Sequence, residues 1–147
     1  MSSYQLAQLN IAKMKFAIDD PDMSAFVARL DDINALADAA PGFVWRLQTA
    51  AGDATGIDYI GSDSLVNMSV WQNVGSLHAY VYRSAHSQLM TLRKQWFERM
   101  TEVYSVLWWI AEGHIPALDE ASQRLDCLRQ QGPCAQAFTF KQVFAPQ

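Results

Sequence analysis

The sequence predicts an α+β fold, with strands and helices in the order β-α-β-β-α-β and a further helix and strand at the C-terminal end. Three observations carry this expectation. Apolar residues alternate with a period of two in several short segments. Between those segments they recur at spacings of three and four. Asp-Pro, Pro-Gly and Gly-Pro pairs punctuate the two kinds of segment. The 147 residues suit one domain spanning 1–147.

Tyr4 to Ile11 alternates, with Leu6, Gln8 and Asn10 on one side and Ala7, Leu9 and Ile11 on the other, which is the strand period. Asp20-Pro21 reads as an N-cap followed by proline at the first helical position. Met23, Phe26, Val27, Leu30, Ile33 and Leu36 then form a helical stripe, stopped by Pro41-Gly42. Phe43 to Gln48 alternates again, setting Phe43, Trp45 and Leu47 against Val44, Arg46 and Gln48. Leu65 to Trp71 is the third strand, with Val66, Met68 and Val70 on its apolar face and Asn67, Ser69 and Trp71 on the other. Asn73 is positioned to cap a short helix holding Leu77, Tyr80 and Val81. A longer helix is expected from about Ser84 to Glu98, its stripe formed by His86, Leu89, Met90, Arg93, Trp96 and Phe97. Tyr104 to Ile110 is apolar on both sides, which predicts a central strand covered twice. Ala117 to Gln131 is a helix closed by Gly132-Pro133, and Ala137 to Phe144 returns as a last strand. Two β-α-β halves in sequence describe a ferredoxin-like protomer. Its helices lie on one sheet face, so the apolar second face predicts a homodimer.

Half of the residues are hydrophobic and 18% are charged, which excludes global disorder. Eleven Lys and Arg against fifteen Asp and Glu leave a net charge of -4, the wrong sign for a nucleic-acid partner. No apolar run reaches the ~18 residues of a membrane span, and Met1 to Leu6 lacks the pattern of a signal peptide. A cytoplasmic chain is expected. Cys127 and Cys134 then read as two free thiols, with a bridge across the Gly132-Pro133 turn as the alternative. The glycine-rich nucleotide loops, the HExxH zinc motif and the GxSxG nucleophile elbow do not occur, and no cofactor is expected.

Several residues suggest a site. Asn67 and Trp71 lie four apart on one strand face, about 13 Å along it. An amide there is suited to a substrate carbonyl or oxyanion, and an indole to an aromatic wall. An amide paired with a neighbouring strand is the alternative. Asn10 is a second strand amide. His86 could serve as general base or as a metal or haem ligand, or could be a core or capping residue. Arg46 and Arg83 are either paired with carboxylates or aimed at an anionic ligand. Trp96, Phe97, Trp108 and Trp109 read as core by default, though their density, with Trp45 and Tyr82, allows a pocket for a flat hydrophobic ligand, and His114 lies in a loop that could border it.

The stretches LAQLNIAKMK, PGFVWRLQT, LVNMSVW, YVYRSAH, VLWWIAEGHIP and AFTFKQVF, in that order along the chain, resemble the family called domain of unknown function 3291. That family looks like a branch of the dimeric α+β barrel superfamily, beside the antibiotic-biosynthesis monooxygenases. The resemblance implies a ferredoxin-like protomer and a homodimer, and no established activity. Quinol-forming monooxygenases of the superfamily that need no cofactor use a strand Asn and a Trp four residues later, to which Asn67 and Trp71 are similar. Their Arg has a loose counterpart in Arg46 or Arg83. Haem-degrading members use a first-strand Asn and a helix His, to which Asn10 and His86 are similar, while Tyr80 stands near the position of their helix Trp.

The expected function is therefore a small cofactor-independent monooxygenase acting on an aromatic, polyketide-like hydrophobic molecule, with Asn67, Trp71 and His86 as its catalytic residues. A haem-binding protein with His86 as ligand, a non-redox cyclase or isomerase, and a non-catalytic ligand-binding dimer are the alternatives.

Overall fold

In a computed structural model, the structure describes residues 3–16, 20–47, 64–83, 96–98 and 104–146. Strand β1 (Tyr4–Lys13) leads to a 3-10 turn (Pro21–Met23) and helix α1 (Ser24–Ala39). Strands β2 (Phe43–Arg46) and β3 (Ser64–Trp71) follow, then helix α2 (Val74–Arg83), strand β4 (Ser105–Ala111) and helix α3 (Leu118–Gln131). Local chemistry sets the helix starts. Asp20 accepts a hydrogen bond from the Asp22 amide, and Pro21 occupies the first position of the turn. Asn73 Oδ1 accepts from the Ser76 amide at the head of α2.

The sheet is antiparallel, in the order β2-β3-β1-β4. This is the ferredoxin-like arrangement, with the first strand in the interior. Its period-two pattern sorts the side chains into two cores. One face carries Ala7, Leu9, Ile11, Met68, Val70, Val106, Trp108 and Ile110 beneath Ala121, Leu125 and Leu128 of α3. The opposite face carries Leu6, Trp71 and Leu107, packed with Leu77 of α2 and with Phe43. A third cluster gathers Met14, Met23, Phe26, Trp96 and Phe97 at the far end of β1.

Five expectations need correction. The bulge between Phe43 and Trp45 adds a residue to β2. Phe43 therefore joins the α2 face, while Trp45 and Leu47 pack on the α3 face. Strand β4 ends the sheet rather than lying within it, although both its faces are covered. Ala137 to Phe144 forms no strand. Phe138 makes an isolated bridge to Leu107, exchanging hydrogen bonds of 2.9 and 2.8 Å. This bridge caps the outer edge of β4, and tight turns at Cys134–Ala137 and Thr139–Gln142 flank it. Most of the expected helix from Ser84 lies outside the described residues, but its end does not. Trp96 to Glu98 pairs with β1, through Lys15 N–H to Trp96 O and Glu98 N–H to Lys13 O. On α1, Val27 and Leu36 are exposed, and among the residues whose side chains are described Met23, Phe26 and Ala37 are the buried ones of this stretch.

The second sheet face also differs in what covers it. Over β1 and β4 the cover is the chain's own α3. That part of the face is therefore covered without a second copy.

Candidate functional site

The α2 side of the sheet has a polar end and an aromatic end. Register places Asn67, Asn10 and Ser105 side by side across β3, β1 and β4. The next row on this side is Arg46, Ser69, Gln8 and Leu107, and the row after it contains Phe43, Trp71, Leu6 and Trp109.

A hydrogen-bonded chain links the rows. Trp71 Nε1–H donates to Ser69 Oγ at 2.8 Å. Gln8 Nε2 donates to the same Oγ at 2.8 Å and to Asn67 Oδ1 at 2.6 Å. Gln8, Ser69 and Trp71 are buried, whereas Asn67 is exposed. The consequence is directional. An indole N–H can only donate, so the Ser69 oxygen accepts from it. Gln8 uses its amide hydrogens on Ser69 and Asn67. The Asn67 carbonyl is thereby engaged, and the group that Asn67 presents outward is its –NH2, a pair of donors. The buried donors, the Trp71 indole N–H and the Gln8 amide group, are thereby satisfied.

Tyr80 of α2 covers the aromatic end. Its ring stacks on Trp71, with centroids 5.1 Å apart and an interplanar angle of 29°, and its hydroxyl donates to Ile33 O of α1 at 3.2 Å. Burial pushes its pKa up to about 12, against an opposing pull from the Arg46 charge. Phe43 meets Trp71 edge-on at 5.4 Å. Arg46 is held by Asp38 of α1, Nε to Oδ1 at 2.8 Å, with its side chain only 14% exposed. Of the two readings of Arg46, carboxylate pairing is the one observed. A cleft of about 660 Å³ lies between α1 and α2, lined in part by Leu36, Ala40, Asn73, Gly75, Ala79 and Tyr80. Tyr80 lines it and separates it from the buried Trp71, and Asn67 lies a further ~13 Å along the strand from Trp71.

The structure thus brings together Asn67, Trp71, Asn10 and Arg46 on one sheet face. It places Trp45 on the opposite face. Trp109 shares the site's face, but its Nε1–H donates to Phe144 O at 2.7 Å and it packs beside Phe138. Trp96 belongs to the third cluster, against Phe26 and beneath the Arg29 guanidinium at 5.7 Å. Tyr82 is exposed and leans on His78 and Phe140. His114 pairs with Glu120 at 2.7 Å, and Glu120 also accepts from Trp108 Nε1, a residue of the α3 face. His86 lies outside the described residues, as does the Arg83 side chain.

Gln8 and Ser69 were not singled out in the sequence, and Tyr80 entered only as the counterpart of a helix Trp. Gln8 shares its strand side with Asn10, the only signal the sequence carries for it. Among the described residues no cluster of His, Cys, Asp and Glu could hold a metal ion, and no helix is long and apolar enough to cross a membrane.

Sheet order and helix placement define a ferredoxin-like α+β protein. The chain belongs to the family described as domain of unknown function (DUF3291), whose model matches residues 5–147. No curated protein sequence matches it. Solved structures similar to it include a protein of unknown function from Nitrosomonas europaea, at 13% identity and a TM-score of 0.49, covering 80% of this chain and 99% of that one. Another is SnoaB, a cofactor-independent oxygenase from Streptomyces nogalater, at 15% identity and a TM-score of 0.47, covering 78% and 100%. A third, from Chloroflexus aurantiacus, is provisionally named an antibiotic biosynthesis monooxygenase, at 11% identity and a TM-score of 0.46, covering 77% and 97%.

Proposed function

We propose that this protein is a small monooxygenase that uses no bound cofactor and acts on an aromatic hydroxyketone of the polyketide type. The observation that carries the reading is the oriented Asn67 amide. Its carbonyl is held by Gln8, and its –NH2 faces outward from an otherwise buried network. Two preorganised donors suit an oxygen that gains negative charge as the substrate loses a proton. Trp71 stands further along the same face, fully buried beneath Tyr80, so the aromatic wall of the cleft is the Tyr80 ring that Trp71 supports.

In the proposed reaction the substrate's activated CH2 group gives up a proton and forms a delocalised anion. That anion gives two electrons to O2 and forms a C–O bond, leaving a hydroperoxide once a proton is taken up. Loss of the second C–H proton then drives its electron pair into the C=O bond and cleaves O–O. One oxygen atom ends as the new C=O and the other leaves as water, so that substrate plus O2 gives ketone plus H2O. Asn67 stabilises the anion, and Arg46, neutralised by Asp38, holds β2 against α1 at the edge of the site. The proton acceptor is assigned to His86 on the sequence alone.

The test is oxygen uptake with aromatic anthrones, comparing the wild type with Asn67→Ala and Asn67→Asp. The Asp variant keeps the acceptor for Gln8 but replaces the outward donors with an anionic oxygen. Both variants are expected to lose about 100-fold or more in turnover while remaining folded. Unchanged turnover in Asn67→Asp would remove the assignment, and equal product formation without oxygen would replace it with a non-redox reaction.

A further inference from the structure

Cys127 and Cys134 lie at the end of α3 and just beyond it. Both are free and half-buried, with Sγ atoms 3.9 Å apart. Nothing in the proposed reaction uses them. The backbone around them is held from three sides. Gly132, at φ 77°, closes the helix by donating to Leu128 O at 2.9 Å. Cys134 and Ala137 exchange two backbone hydrogen bonds of 2.8 and 3.1 Å across a tight turn. Arg124 Nη1 donates to Gln136 O at 3.0 Å, tying the helix to that turn. A disulfide needs sulfurs at about 2.05 Å. The remaining gap, a little under 2 Å, is within reach of side-chain rotation and a small backbone adjustment.

We propose that Cys127 and Cys134 form a reversible oxidation site for hydroperoxides. One thiolate attacks the peroxide O–O bond, becoming a sulfenic acid while the other oxygen leaves as water. The second thiolate attacks the sulfenic sulfur, the S–S bond forms and the hydroxyl leaves as a second water. Two thiols and one H2O2 give one disulfide and two H2O, with the sulfurs oxidised and the peroxide reduced. The product staples the end of α3 to the turn that delivers Ala137 and Phe138 to the two cores.

The test treats the full-length protein with a few equivalents of hydrogen peroxide and then counts thiols and weighs the intact chain. The expected result is loss of both titratable thiols, a mass lower by about two hydrogens, a tryptic peptide linking Cys127 to Cys134, and full recovery with dithiothreitol. Closing so short a loop is expected to raise the melting temperature by roughly 5 °C. Cys127→Ser and Cys134→Ser are isosteric controls that should show neither the mass loss nor the shift. Two persisting thiols, oxygen adducts without a cross-link, or disulfides formed only between chains would each overturn the proposal.

Discussion

Tyr80 binds three parts of the molecule with one side chain. Its ring lies on Trp71 of the sheet, its hydroxyl reaches the α1 backbone, and its own helix is α2. That burial has a signature in pH. The phenol titrates at its usual 10 in the unfolded chain and at about 12 in the folded one. Between those values the unfolded chain loses its proton first, so stability present below pH 10 is lost as pH rises toward 12. The loss is on the order of 2 kcal/mol. Urea titrations at pH 9 and 11.5 should show it in the wild type. Tyr80→Phe should lack this part of the pH dependence and, at neutral pH, lose about 1 kcal/mol with the hydroxyl's hydrogen bond. Equal pH dependence in the two proteins would mean that the phenol ionises freely. At this scale Asn67 and Trp71 were legible, because a two-residue period fixes which side chains share a face. Gln8 was not, because a polar pair such as Gln8 and Asn10 on a strand reads equally as a solvated edge until its partners across the ladder are known.

Among the elements, the connection from α1 into β2 is tightly constrained at Gly42. Gly42 has φ 83°, and a Cβ there would stand 2.1 Å from Ser76 Oγ of α2. Its carbonyl also accepts from the Gln72 amide at 2.8 Å. Gly42→Ala therefore carries two separate penalties, a left-handed backbone and a collision, and should cost about 2–4 kcal/mol in chemical denaturation. Adding Ser76→Gly should recover the steric part alone. Full recovery would mean the backbone conformation costs nothing. Pro41-Gly42 was readable as a stop, and Asp20-Pro21 as a start, since both signals are local. The β2 bulge and the pairing of Trp96–Glu98 with β1 were not readable. Each is decided by a neighbour distant in sequence, and Trp96 and Phe97 fit a helical stripe as readily as the cluster around Phe26.

For the molecule as a whole, α3 decides what the far sheet face meets. Leu125 and Leu128 are almost wholly buried against Ala7, Leu9, Val106 and Trp108. Leu125→Asp places an unpaired charge in that seam. The expected outcome is a chain in which α3 no longer docks, the bared face drives self-association, and sedimentation velocity reports species larger than those of the wild type. A variant with an unchanged melting temperature and sedimentation coefficient would show that α3 is not the cover. The strand and helix order was readable because each step is written in local periodicity. The covering of the second face by the same chain was not, because an apolar sheet face looks alike whether a helix or another copy lies on it.

Ala137 and Phe138 are neighbours in sequence, yet each is fully buried in a different core. The peptide bond between them crosses the rim of β4 like the bridge of a clothes-peg, with α3 as one jaw and the aromatic tail as the other. Neither core can be solvated at that rim on its own. Withdrawing Phe138 from beside Leu6 and Trp71 also drags Ala137 from beneath α3. The two sides of the sheet are thus coupled mechanically at one point, and openings there are shared between them.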